Sequence, residues 1–133
     1  MKPLNEELLN KEKIIWSGNS QGGEVIELDV NKYKKLKCKV QLSGFITFVE
    51  IDLTKITNNI LKNGIYYKYG NSAIAGALDG VQYINRCSIA VSADKTKVIA
   101  YDFGYADLSR SWNFQNRDGS GNTWAILEIS GIK

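Results

Sequence analysis

The segment Phe103–Trp124 carries the residue types best suited to binding a ligand. Its aromatic and planar polar side chains include Tyr105, Arg110, Trp112, Asn113, Phe114, Asn116 and Arg117. Aromatic faces stack on the CH faces of sugars, while amide and guanidinium groups hydrogen-bond sugar hydroxyls. A long loop in a compact domain also tends to be functional or disordered. These residues form a candidate saccharide site; the alternative is that Trp112 and Phe114 lie on a short strand and fill the core.

Other kinds of chemistry lack the residues they need. Histidine is absent from all 133 residues, which removes the commonest general base and the commonest metal ligand. The sequence also has no phosphate-binding or dinucleotide-binding glycine motif and no CxxC pair. We therefore expect no enzymatic activity, no catalytic residues, no metal site and no cofactor. A small polysaccharide-active enzyme that uses carboxylates such as Asp102 and Asp107 is an alternative.

Charge and hydropathy argue against two classes of partner. The net charge is only +3 and is spread evenly, with ten Lys against eight acidic residues in 1–66 and seven basic against six acidic residues in 67–133. Nucleic-acid binders usually carry a larger and clustered basic excess, so we expect no nucleic-acid partner. Residues 1–13 lack the apolar core of an export signal, and no window is apolar enough to span a bilayer. We expect synthesis in the cytoplasm without a signal peptide, and no membrane insertion.

The pattern after residue 13 is that of a mainly β protein. The clearest signal is an alternation in which Leu36, Cys38, Val40 and Leu42 point one way. The polar residues Lys35, Lys37, Lys39 and Gln41 point the other. Ser43-Gly44 then predicts a hairpin. The polar stretch 54–64 predicts a loop or one weak helical turn, and the small-residue stretch 70–80 predicts a loop. About seven to nine strands at regular spacing predict one antiparallel β-sandwich, jelly-roll-like, over residues 14–133.

Two further features of this region are a run of lysines and a pair of cysteines. The basic run Lys32–Lys39 either contacts phosphates or anionic wall polymers, or forms the solvated face of a strand. Cys38 and Cys87 both alternate with apolar residues and are interpreted as small buried hydrophobic residues.

Residues 1–13 are the one helical candidate. Leu4, Leu8 and Leu9 fall on one face, and Pro3 suits a first helical turn. A helix this short is marginal in water unless it packs against something. Packing on copies of itself would bury the leucines and make them an oligomerisation element. Alternatively, the helix packs across the open end of its own sandwich.

Two segments at opposite ends of the chain carry a resemblance. Ile14-Ile15-Trp16-Ser17-Gly18 contains a W-x-G element, and the terminus Ile129-Ser130-Gly131-Ile132-Lys133 matches an I-x-G-I-K-like tail. Together they resemble small β-sandwich proteins encoded among the tail genes of phages and prophages of low-GC Gram-positive bacteria. The resemblance implies a structural or receptor-binding virion component of a fibre, tail tip or baseplate. It further implies a homotrimer that contacts other virion proteins and binds host cell-wall saccharide; a purely structural assembly protein without a ligand is the alternative.

Overall fold

The computed structural model describes residues 12–21, 24–42, 45–57, 59–75, 83–107, 115–117 and 124–133, with backbone alone at 73–75, 83–84, 101–107, 115–117 and 124. Within these ranges every regular element is a strand. The strands are β1 (Glu12–Ser20), β2 (Val25–Glu27), β3 (Lys35–Leu42), β4 (Phe45–Asp52), β5 (Ile60–Lys62), β6 (Ile65–Ala75), β7 (Tyr83–Ser92), β8 (Lys97–Asp107), β9 (Gln115–Arg117) and β10 (Trp124–Ile132).

The strands form two antiparallel sheets, which confirms the predicted β-sandwich. Sheet A has four strands in the order β1-β10-β3-β4. Sheet B has six strands in the order β2-β8-β7-β6-β5, with β9 paired to β8. The pairs β1·β10 and β2·β8 nest as in a jelly roll, whereas β3–β4 is a hairpin and β5 to β8 form a meander.

The core lies between the sheets and is lined by the alternation seen in the sequence. All four inward residues of β3 are fully buried, and they pack with the inward residues of β4, β7 and β8 in one cluster. Cys38 and Cys87 both belong to this cluster, and no disulfide joins them. Burial raises the pKa of the Cys38 thiol to about 12, as expected for a thiolate that would have to be formed away from water. Their interpretation as buried hydrophobic residues is confirmed.

Several predicted boundaries are wrong. Strand β5 lies inside the predicted loop 54–64, and β6 continues to Ala75 through half of the predicted loop 70–80. The β5–β6 turn explains the first error, because Asn63 and Gly64 both have positive φ angles, 53° and 78°. An Asn-Gly pair in this conformation is a strong two-residue hairpin signal that outweighs the polar composition around it.

The predicted N-terminal helix falls almost wholly outside the described residues. Its last two positions, Glu12 and Lys13, belong to β1, where they pair with Ile132 and Gly131 of β10. Pairing with β10 thus makes β1 begin at Glu12, two residues before the β-favouring run that starts at Ile14.

The two segments that carry the family resemblance are neighbours in sheet A, since β1 pairs with β10 along its length. A Cβ added at Gly18 would lie 2.8 Å from Cζ2 of Trp16, and one added at Gly131 would lie 2.5 Å from Cδ1 of Tyr33. Each glycine therefore lets an aromatic ring lie directly on the strand backbone. Both motifs thus have a structural role, in which Gly18 makes room for the Trp16 ring and Gly131 for the Tyr33 ring.

Candidate functional site

Strands β8 and β9 bring part of the candidate saccharide site together. Gly104 pairs with Asn116, and the flanking pairs are Phe103 with Arg117 and Tyr105 with Gln115. Paired Cα atoms in an antiparallel ladder lie about 4.5–5.5 Å apart. Tyr105, Asn116 and Arg117 thus occupy three consecutive register positions, which puts Tyr105 and Arg117 on one face of the pair and Asn116 on the other.

The prediction of one unstructured loop over Phe103–Trp124 is therefore wrong at 103–107 and 115–117. The aromatic residues at 103 and 105 favour a strand, but Gly104 between them weakens the sequence signal. Arg110, Trp112, Asn113 and Phe114 lie outside the described residues, so their predicted part in the site stays a prediction.

The β8–β9 pair occupies a distinct position on sheet B. One edge of β8 pairs with β7 over nearly its whole length. Along the opposite edge, β2 pairs with residues 97–99 and β9 pairs with residues 103–105. Strand β9 thus lies beyond Val25, the first residue of β2, towards the Asp107 end of β8.

The carboxylates suggested for polysaccharide cleavage are poorly spaced for that chemistry. Asp102 pairs with Ser88 and Asp107 pairs with Tyr83, so both lie on β8. Five residues along a strand correspond to roughly 17 Å between Cα atoms. Paired carboxyl groups of glycosidases are about 5–9.5 Å apart, which this separation does not approach.

A cleft of about 470 Å³ lies where the edge of sheet A faces sheet B. It is lined by Lys35, Glu50, Ile51, Asp52, Lys55, Thr57, Gly70, Asn71 and Ser72. Sequence reasoning missed it because the lining comes from separate segments that only sheet packing brings together. No motif in the sequence signals it.

The polar groups of this cleft largely satisfy one another. Asn71 Nδ2 donates to the Glu50 carbonyl oxygen at 2.9 Å, which ties β6 to β4. Thr57 Oγ1 accepts from Gly70 N at 2.9 Å and donates to Gly70 O at 3.1 Å. The Thr57 bonds occupy the backbone N–H and C=O of Gly70, so these two groups are not available to pair with another strand.

The carboxyl group of Asp52, which also lines the cleft, likewise has hydrogen-bond partners within the protein. Its Oδ1 accepts hydrogen bonds from Thr54 Oγ1 at 2.5 Å and Thr54 N at 2.9 Å. These bonds lower the pKa of the Asp52 carboxyl. The carboxyl is therefore ionised near neutral pH and holds the turn at Thr54. A carboxyl with a lowered pKa is suited neither to donate a proton nor to act as a general base at that pH.

The outer face of sheet A carries the basic run. Lys35, Lys37 and Lys39 lie on β3 between β10 and β4. Acidic residues adjoin them on the neighbouring strands, because Lys35 pairs with Asp52, Lys37 with Glu50 and Lys39 with Glu128. Interleaved charges of both signs favour the interpretation as a solvated face over a site for anionic polymers.

A groove of about 390 Å³ crosses this outer face, which we call the groove of sheet A. It is lined by Glu12, Ile14, Lys37, Lys39, Phe48, Glu128 and Ser130, so all four strands contribute. Lys37 Nζ lies 4.7 Å from the centroid of the Phe48 ring and 3.9 Å from Glu12 Oε1. The groove therefore combines apolar walls with ion-pairing groups.

Comparison with known proteins places the chain in no family: no protein-family model, curated protein or solved structure matches it. The resemblance to phage tail proteins therefore stays a prediction. In the ranges that the structure describes, no group of His, Cys, Asp and Glu residues could hold a metal ion. The same residues include no helix long and apolar enough to cross a membrane.

Proposed function

We propose that the protein is a non-catalytic, saccharide-recognising component of a phage or prophage tail, in a fibre, tail tip or baseplate. The observation that supports recognition is the pairing of β8 with β9. In this register Tyr105, its partner Gln115 and Arg117 share one face of the pair, and Asn116 lies on the other, so an aromatic residue, an amide and a guanidinium share a face. Those are the groups that sugar stacking and sugar hydroxyls require.

The tail assignment is supported by the two terminal motifs. The W-x-G and I-x-G-I-K-like segments lie side by side as β1 and β10, where Gly18 and Gly131 each accept an aromatic ring. A shared framework of this kind fits a structural resemblance better than two unrelated chance matches. In such a particle, weak single sites on a homotrimer would act together, because linked sites raise apparent affinity without new contacts.

Binding to arrayed glycans and to purified Gram-positive cell walls tests the proposal. The wild-type chain should be retained, and Tyr105→Ala, Trp112→Ala and Arg117→Ala should each reduce retention about tenfold, which corresponds to about 1.4 kcal/mol. Phe48→Ala is the matched control, because Phe48 is an aromatic residue that is 49% exposed and lies on the outer face of sheet A, away from the β8–β9 pair. Equal retention of wild type, Tyr105→Ala and Trp112→Ala would reject this site.

The non-catalytic part of the proposal has its own measurement. The protein is incubated with the polysaccharides that it retains, and new reducing ends are quantified over time. We expect none above a protein-free control. Turnover that continues after repeated purification would contradict the proposal and direct attention to the carboxylates.

A purely structural assembly role is the second candidate, and a specific surface favours it. Leu61 and Tyr66 are a cross-strand pair on the β5–β6 hairpin and are 57% and 55% exposed. Ile56, which is 67% exposed, precedes β5. Exposed apolar residues clustered at a sheet edge suit a contact with a neighbouring subunit. This role predicts no glycan retention and a solution mass that falls to that of a monomer in Leu61→Asp.

A further inference from the structure

We propose that residues 1–11 pack as a helix across the groove of sheet A in the same molecule, with Leu4 and Leu8 covering its apolar walls. The proposal concerns how the chain covers its own surface, so it does not rest on saccharide binding. A trimer, if formed, would then be held by surfaces other than this segment.

The outer face of sheet A has apolar side chains that lack a cover among the described residues. Ile14, Ile46 and Phe48 are 54%, 51% and 49% exposed. Single exposed hydrophobic residues are normal, but two of these three stand at opposite ends of one groove, on the two edge strands. A segment that crosses the groove would bury both ends at once.

The position and length of residues 1–11 fit this groove. They join β1 at Glu12, which lines the groove and lies on an edge strand of sheet A. From β1 to β4 there are three strand spacings, about 14 Å in total. A helix of eleven residues is about 16 Å long. Leu4, eight residues before Glu12, would reach about 12 Å from it and so arrive near Phe48.

The charges of the groove do not oppose this occupant. The groove is lined by two lysines and two glutamates, and residues 1–11 likewise hold two of each, namely Lys2, Lys11, Glu6 and Glu7. Neither surface therefore carries a net side-chain charge that would repel the other. Covering the groove would also desolvate the contact between Lys37 and the Phe48 ring, which strengthens it.

A second copy of the chain fits the same face less well. The face is about 14 Å wide and, over the eight residues of β3, about 27 Å long. Two such faces together bury roughly 800 Å², below the roughly 1,200–2,000 Å² typical of a stable protein–protein interface. A tethered segment needs no such area, because its effective concentration is high.

Amide hydrogen exchange of the full-length protein, followed by NMR, tests the proposal. Amides of residues 7–10 should exchange at least tenfold more slowly than in the isolated peptide 1–11, at any protein concentration. Phe48→Ala, or Ile14→Ser at the other end of the groove, should abolish most of this protection. Tyr66→Ala, which alters an equally exposed aromatic residue elsewhere, should leave it unchanged. Unaltered protection of Ile89 and Val91 amides in β7 establishes that each variant is folded.

Three results would overturn the proposal. One is exchange in residues 7–10 as fast as in the free peptide. Another is protection that survives Phe48→Ala and Ile14→Ser in folded protein. The last is protection that disappears on dilution together with a light-scattering mass that falls from trimer to monomer, which would assign the leucines to a bundle between chains.

Discussion

Replacing Gly131 by alanine should destabilise the fold because the added methyl group would clash with the ring of Tyr33. A Cβ at this position would lie 2.5 Å from both Cδ1 and Cε1 of Tyr33. Carbon atoms in good contact are about 3.5–4.0 Å apart, so the ring must move by an ångström or more. The backbone on either side of the ring is held, because Tyr33 N donates to Val30 O at 3.1 Å and Lys34 N donates to Ile132 O at 2.8 Å. The side chain must therefore give way.

The magnitude follows from what the ring loses. Tyr33 is 8% exposed and belongs to the main core cluster. Overpacking a well-packed site costs about 1–3 kcal/mol, and complete exposure of a large apolar side chain costs about 1.5–3 kcal/mol. We expect Gly131→Ala to lower the free energy of unfolding by about 1.5–3 kcal/mol. In urea denaturation with an m-value of about 2 kcal/mol/M, the midpoint would fall by about 1 M.

A double-mutant cycle separates this cause from backbone strain. In a Tyr33→Ala background the clash is gone, so adding Gly131→Ala should cost little or slightly stabilise the protein. Gly64→Ala is the matched control, since Gly64 has a φ of +78° and an added Cβ meets nothing within 4 Å. Its cost of about 1–2 kcal/mol comes from the left-handed backbone and should persist in Tyr33→Ala. An equal cost for Gly131→Ala with and without the ring would refute the reasoning.

Further predictions concern burial, titration and the second candidate role. Burial raises the pKa of the Cys38 thiol to about 12, so Cys38 should resist iodoacetamide at pH 8 in the native protein and react after urea unfolding; rapid native labelling would contradict its burial. Hydrogen bonds from Thr96 and Ser92 lower the pKa of Asp94 from 3.8 to about 2. Because the folded-state pKa is depressed, this stabilisation is present above about pH 4 and is lost as the pH falls towards 2. Asp94→Asn should lower the urea midpoint at pH 7 and flatten its decline between pH 4 and 2, whereas an unchanged acid profile would show that the bonds contribute nothing. If the hairpin surface contacts another subunit, Leu61→Asp should lower the mass measured by light scattering without changing the circular dichroism spectrum.

Strands could be predicted from the sequence where apolar and polar residues alternate strictly, as they do along β3. The four inward residues of β3 have polar neighbours at every intervening position, and all four are fully buried. The turn at 93–96 has a local cause too, because Asp94 is of the residue type that hydrogen-bonds its own turn, here by accepting from Thr96 N at 3.1 Å. In such places local sequence and tertiary structure require the same conformation.

The remainder depended on pairing partners that no local pattern specifies. Strand β6 runs to Ala75 through Gly70, where an added Cβ would lie 2.9 Å from the Ile89 carbonyl oxygen. That glycine indicated a loop in sequence but permits close approach between strands in the fold. The cleft and the groove of sheet A likewise arise from the sheet order, which places residues from distant segments side by side.

The most direct test of the proposed function is NMR chemical-shift mapping with an oligosaccharide selected on the glycan array. We expect concentration-dependent shifts of the backbone amides of 103–107 and 115–117, with little change in β5 or on the outer face of sheet A. Shifts confined to those other surfaces, or an array that retains no glycan with wild-type protein, would contradict saccharide recognition by the β8–β9 pair.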